Sequence, residues 1–140
     1  MDYVELPAPP PLDQIVRCFW FLRGTLIDPS PQAIVPDGRV EIVLHLAEPF
    51  ALVDATGTPQ RQSTVLAAGQ LTAPIQLVAR GEADVVRIRF RTAMAACVLR
   101  VPLGALTNRV ESLGKTMPSL VDSLMAAAAR ARFVRRSPTI

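Results

Sequence analysis

A chain of 140 residues, half of them hydrophobic and 19% charged, is sized and composed for one globular domain; it needs no staples and is not intrinsically disordered. The net charge of +3 hides an asymmetry: residues 1–79 carry four Arg against eight Asp/Glu, residues 80–140 eleven Arg/Lys against four Asp/Glu. The start is acidic and proline-rich, unlike a signal peptide, and the charge-poor stretch 62–79 is broken by Gly69 and Pro74, unlike a membrane span, so a cytoplasmic protein is expected.

Residues 6–11 (Leu-Pro-Ala-Pro-Pro-Pro) are too rich in proline for a helix or a central strand and read as an extended arm. Residues 12–17 can form one helical turn, with Leu12, Ile15 and Val16 on one face. Residues 18–23 are aromatic and apolar and end at Gly24, which predicts a buried strand. Pro36, Asp37 and Gly38 then stand between two apolar runs. Proline presets φ, aspartate can bond its own backbone and glycine accepts a positive φ, so the three form a turn joining strands at 33–35 and 40–46. The second of these alternates. Val40, Ile42, Leu44 and Leu46 point one way; Glu41, Val43 and His45 point the other.

Further strands are expected at 50–55, 64–68 and 75–80. The sharpest alternation follows, with Val86, Ile88 and Phe90 on one face and Arg87, Arg89 and Arg91 on the other, the pattern of a half-buried antiparallel strand. Residues 92–99 are alanine-rich and helix-prone, and 102–106 can form a short helix with Pro102 in its first turn. A longer helix is expected from Thr116, as cap, and Pro118, in the first turn, to about Arg132, with Arg130 and Arg132 at its negative end. Its apolar stripe is Met117, Leu120, Val121, Leu124, Met125 and Ala128. The resulting fold class is α+β, mostly β: roughly seven strands in an antiparallel barrel or sandwich, a cupin-like jelly roll being one version, followed by two or three helices. The division along the chain is a β-rich sensor-like domain over 1–114, an amphipathic helix over 115–134 and a disordered tail over 135–140.

The chemistry is sparse. With one histidine, the ligand sets of histidine-based metal sites are missing, and Cys18 and Cys97, each among apolar neighbours, read as small buried hydrophobes. No nucleophile motif or phosphate-cradling glycine loop occurs, so neither an enzyme nor a cofactor is expected. His45 lies four residues from Glu41, about 13 Å along a strand, so the two cannot touch directly. Each of five residues has two readings. Trp20 packs the core or walls a pocket. His45 and Glu41 are satisfied sheet residues or ligand contacts. Arg87 and Arg89 either face water, the favoured reading, or line a cavity and hold a carboxylate or phosphate. The C-terminal stripe of Met117, Leu120, Val121, Leu124 and Met125 either covers the sheet or pairs with a second chain.

One ordered set of motifs carries a resemblance. Tyr3, Pro7 and Leu12-X-X-Ile15 come first, then Phe19-Trp20. Residues 34–38 (Ile-Val-Pro-Asp-Gly) precede Glu41-Ile42-Val43-Leu44. Residues 69–74 (Gly-Gln-Leu-Thr-Ala-Pro), 87–91 (Arg-Ile-Arg-Phe-Arg) and 101–110 (Val-Pro-Leu-Gly-Ala-Leu-Thr-Asn-Arg-Val) complete the series. Over about residues 3–113 this order is similar to an uncharacterised N-terminal domain of bacterial AraC-type helix-turn-helix regulators. The chain departs from that pattern at Thr92-Ala93-Met94, where the family has Pro-Gly-Gly. The resemblance implies a small-molecule-sensing or dimerising domain, with DNA contacted by a separate module. The sequence ends at Ile140, before any such module, so direct DNA binding is not expected to carry over. The partners this implies are a small-molecule effector, a second copy or a related regulator. Two other readings stay open: an interaction domain that pairs with full-length regulators through the C-terminal helix, and weak nucleic-acid binding by the arginine-rich second half.

Overall fold

The computed structural model describes residues 2–26, 30–34, 38–79, 81–91 and 94–126. Among the described residues ten strands are present: β1 (Asp2–Pro7), β2 (Val16–Leu26), β3 (Gln32–Ile34), β4 (Glu41–His45), β5 (Ala51–Val53), β6 (Pro59–Arg61), β7 (Val65–Ala68), β8 (Ile75–Val78), β9 (Gly81–Phe90) and β10 (Val110–Ser112). They form a six-stranded sheet, in the order β1-β2-β9-β4-β7-β10, and a four-stranded sheet, in the order β3-β8-β5-β6. Every pairing is antiparallel. The helices are α1 (Ala95–Leu99), α2 (Leu113–Thr116) and α3 (residues 118–126), with short 3-10 turns at Leu12–Gln14 and Leu103–Leu106.

The pairing is nested: β5 with β6, β4 with β7, β3 with β8, β2 with β9. One long hairpin has rolled up, its two arms crossing between the sheets together, which is jelly-roll connectivity. The fold is thus an antiparallel sandwich with helices. Among the described residues no ladder joins the two sheets, so the closed barrel that the sequence leaves open does not form. For the same reason β3 and β4 are not a hairpin. They lie in different sheets. Gly38 has φ +72°, as a turn glycine should; Pro36 and Asp37 lie outside the described residues.

The central strands of the large sheet are buried on both sides. One face (Phe21, Ile42, Leu44, Val86, Ile88, Phe90) packs under α1, α2 and α3; the other (Val43, Leu66, Ala83, Val85) packs on Phe50 and Leu77 from the small sheet's side. The alternation expected at 40–46 and 86–90 holds residue by residue. Three strands were not expected. β1 pairs with β2 throughout, from Asp2–Arg23 to Pro7–Cys18; as an edge strand it can end on a proline that a central strand would reject. β6 forms because Asp54 closes the β5–β6 turn, its Oδ1 accepting from the Thr56 and Thr58 amides at 2.9 and 3.0 Å. β10 is a three-residue edge strand. The helical turn read at 12–17 shrinks to three residues, because Val16 already belongs to β2. Pro118 does open α3, whereas Thr116 ends α2 instead of capping; Ala128, Arg130, Arg132 and the tail lie outside the described residues.

Two motifs far apart in sequence meet behind β7. Gly69 donates its amide to the Arg109 carbonyl (3.0 Å), Asn108 donates to the Gln70 carbonyl (2.8 Å), and Asn108 Oδ1 accepts from the Thr72 amide (2.8 Å). Asn108 does this from a left-handed backbone, φ 57°. A Cβ on Gly69 would stand 1.6 Å from the Leu106 carbonyl oxygen, so the backbones approach this closely only at glycine. Gly69→Ala is expected to destabilise the fold by about 1–3 kcal/mol through forced displacement of the 103–106 turn; urea unfolding with an unchanged midpoint would show that the contact does not matter.

Candidate functional site

Two arrangements lie on opposite faces of the large sheet. The first joins residues that the sequence singles out. Trp20 stands opposite Arg87 in the β2–β9 register, Arg89 opposite Glu41 in the β4–β9 register, and all four side chains point toward the small sheet. Glu41 is 5% exposed. Its Oε1 accepts from Arg89 Nε and Nη2 at 3.1 and 2.9 Å, and its Oε2 accepts from Arg87 Nη1 at 3.5 Å. The Arg87 guanidinium lies 4.5 Å from the Trp20 ring centre, and the Tyr3 ring packs on the indole at 5.4 Å, tilted by 54°. The Trp20 Nε1 is buried without a hydrogen-bond partner. At the neighbouring position Cys18 donates its thiol to Glu5 at 3.3 Å. Burial first, and the Glu5 carboxylate second, push that thiol above its ordinary 9.0.

The solvent-facing reading of the arginine stripe therefore fails for Arg87 and Arg89, whose side chains are 16% and 22% exposed and share one carboxylate. It fits Arg91, which is exposed and donates to the Asp13 carbonyl. Cys97 is exposed, not buried, and both cysteines are free.

His45 belongs to the same face but not to the cluster. It is 2% exposed. Its Nδ1–H donates to the Ser63 carbonyl at 3.0 Å, which leaves Nε2 as the lone-pair nitrogen, buried and without a partner. Its ring leans on Phe50 at 5.4 Å. Burial pushes its pKa below 6.5, the Arg87 charge acts in the same direction, and the Ser63 carbonyl opposes them.

The second arrangement was not picked out from sequence. Against the opposite face of the large sheet lies a cavity of about 510 Å³. Its floor is Phe19, Phe21, Ile42, Leu44, Val86 and Ile88. One wall is the N-terminal arm with its turn, including Leu6, Pro9 and Ile15. The other is Val98 of α1 with Leu120 and Leu124 of α3. Among the described residues every one that lines it is Leu, Ile, Val, Phe or Pro. The alternation of β2, β4 and β9 was the available signal for the floor. The C-terminal stripe (Met117, Leu120, Val121, Leu124, Met125) packs, half-buried, against this chain's own core.

Two consequences can be measured. Glu41→Gln leaves two half-buried guanidinium groups facing each other without their shared carboxylate, and is expected to destabilise by about 3 kcal/mol. Arg89→Met should destabilise less, since Arg87 still neutralises Glu41; urea unfolding that ranks them in reverse would refute the shared-clamp geometry. For His45 the folded pKa lies below the unfolded one. As the pH falls through 6.5 the unfolded chain takes up a proton that the folded chain resists, so stability drops. His45→Asn keeps a donor for Ser63 and should flatten the stability profile just below pH 6.5.

Among the described residues no group of three His, Cys, Asp or Glu side chains converges as a metal site, and no helix is long and apolar enough to cross a membrane. Comparison with curated proteins and with solved structures gives no match for this chain. Residues 4–112 match a protein family, and this span runs from within β1 to the end of β10: the chain belongs to the family described as a domain of unknown function, DUF6597.

Proposed function

We propose that this chain is a small-molecule-sensing regulatory domain of the kind that precedes the DNA-binding module in AraC-type regulators, and that its C-terminal helix contributes to dimerisation. The observation that carries the reading is the cavity of about 510 Å³, a volume in the range of small-molecule sites. A rigid ladder forms its floor, while its walls come from the two ends of the described chain. A ligand that touches both the arm and α3 favours the arrangements in which they close on it, and that differential affinity is what a sensor requires. The order of motifs shared with AraC-type N-terminal domains supports the regulatory context.

The nucleic-acid reading has less support. Arg87 and Arg89 are engaged by Glu41, and Arg91 donates to a backbone carbonyl. Pairing through α3 and the Met117 before it draws on the half-buried state of Met117, Val121 and Met125, which leaves each of them apolar surface to offer a partner.

A metabolite panel screened by thermal shift, with light scattering over a range of protein concentrations, tests the reading. A ligand at a hundred times its Kd should stabilise by about 2.7 kcal/mol, a rise of several degrees in Tm. A strict monomer that no compound stabilises would overturn both parts.

A further inference from the structure

We propose that the cavity takes an uncharged, hydrocarbon-rich small molecule, held with its polar end at the rim beside Leu6 and Leu12; this rests on the sensing reading and narrows its ligand class. The wall chemistry decides the class. Among the described residues no lining side chain carries a nitrogen or an oxygen. The backbone of the floor offers little more, because β2, β9 and β4 are laddered to one another. A ligand ion placed there would lose its hydration and gain no partner, a large penalty, and an unpaired hydroxyl or amide a smaller one. Arg23 and Asp84, charges that this face of the sheet does carry, lie outside the described lining and pair with each other at 4.0 Å, while on the other face Glu41 takes both Arg87 and Arg89.

Size and access point the same way. Protein interiors hold few voids larger than a water molecule. A dry apolar cavity of about 150 Å³ already binds benzene, and this one is more than three times larger. A guest with a hydrocarbon body gains dispersion contacts along the described lining. The rim reaches the surface at Leu6 and Leu12, each 40% exposed. These two leucines give a hydrocarbon a path inward and leave its polar end in water. Leu120 and Leu124 reach the guest from α3, so occupancy ties that helix to the sheet.

The test is a fluorescence titration of the full chain with N-phenyl-1-naphthylamine, a neutral apolar dye. The expected result is a saturable, blue-shifted signal at one dye per chain. Leu120→Gln, which sets an amide in the wall, should weaken binding at least tenfold. Val98→Phe fills the cavity from α1; it should weaken binding similarly while the Tm holds or rises, which covers the case in which the glutamine variant does not fold. Val110→Gln, on an exposed edge strand away from the cavity, should change affinity less than twofold. Absence of saturable binding to the full chain, or equal affinity in the folded cavity variants, overturns the proposal. So does a signal that fades as the chain is concentrated and self-associates, which would give the groove to a second copy. The two readings fail separately. A charged metabolite that raises the Tm of a chain that ignores the dye leaves sensing intact and removes the apolar site, whereas no response to dye or to any metabolite removes both.

Discussion

Strand β4 is buried at all five positions, and the organisation of the domain follows from what it hides on each side. Toward the helices it shows Ile42 and Leu44; toward the small sheet, Glu41, Val43 and His45. A central strand with a carboxylate on one face is tolerable only if that carboxylate is compensated, because an unpaired buried charge is far more expensive than any single contact in the core. Compensation comes from the adjacent strand. The register that places Arg89 opposite Glu41 and Arg87 opposite Val43 brings both guanidinium groups within reach. A slip of one residue would turn the arginines into the apolar face and Ile88 toward the carboxylate, so the ion cluster specifies the β4–β9 register as strongly as the hydrophobic pattern does.

That register in turn fixes the other two layers. Trp20 is drawn onto Arg87, and Tyr3 onto Trp20, which extends the row to the β1 edge. At the far edge the sheet ends where the Gly69 segment meets the 106–109 turn, backbone against backbone. Between these edges the face under the helices is apolar over Phe19, Phe21, Ile42, Leu44, Val86 and Ile88, and the cavity lies against this part of it.

Alternation made the two faces of β4 and β9 legible in the sequence, and Gly38 announced its turn. What escaped was long-range. Arg87 and Arg89 looked like a solvated stripe because their partner lies 46 and 48 residues earlier, and no local pattern shows which strands will be neighbours. β1 escaped because proline argues against strands in general while an edge position suspends the argument. β6 and β10 are three residues each, too short to show a period. Of the candidate ligand contacts, Trp20, Glu41, Arg87 and Arg89 do come together, but as a cluster whose charges pair with one another. The cavity is defined by atoms that are missing between elements, and periodicity is blind to that.

The two faces also differ in how readily they could respond to a ligand. The space between the sheets is bounded by ladders on both sides, and opening it would break backbone hydrogen bonds together with the Glu41 pairs. The cavity is bounded by a ladder on one side only. Its walls are held by apolar contacts of α3 and α1, by the single β1–β2 ladder, and by the bonds that tie the Asp13–Ile15 turn to Arg91. Elements held by few backbone bonds occupy the low-stability end of a fold, which is where ligand-responsive parts are drawn from. A sensor built on this sandwich would therefore keep its polar cluster as the rigid element and do its sensing on the apolar side.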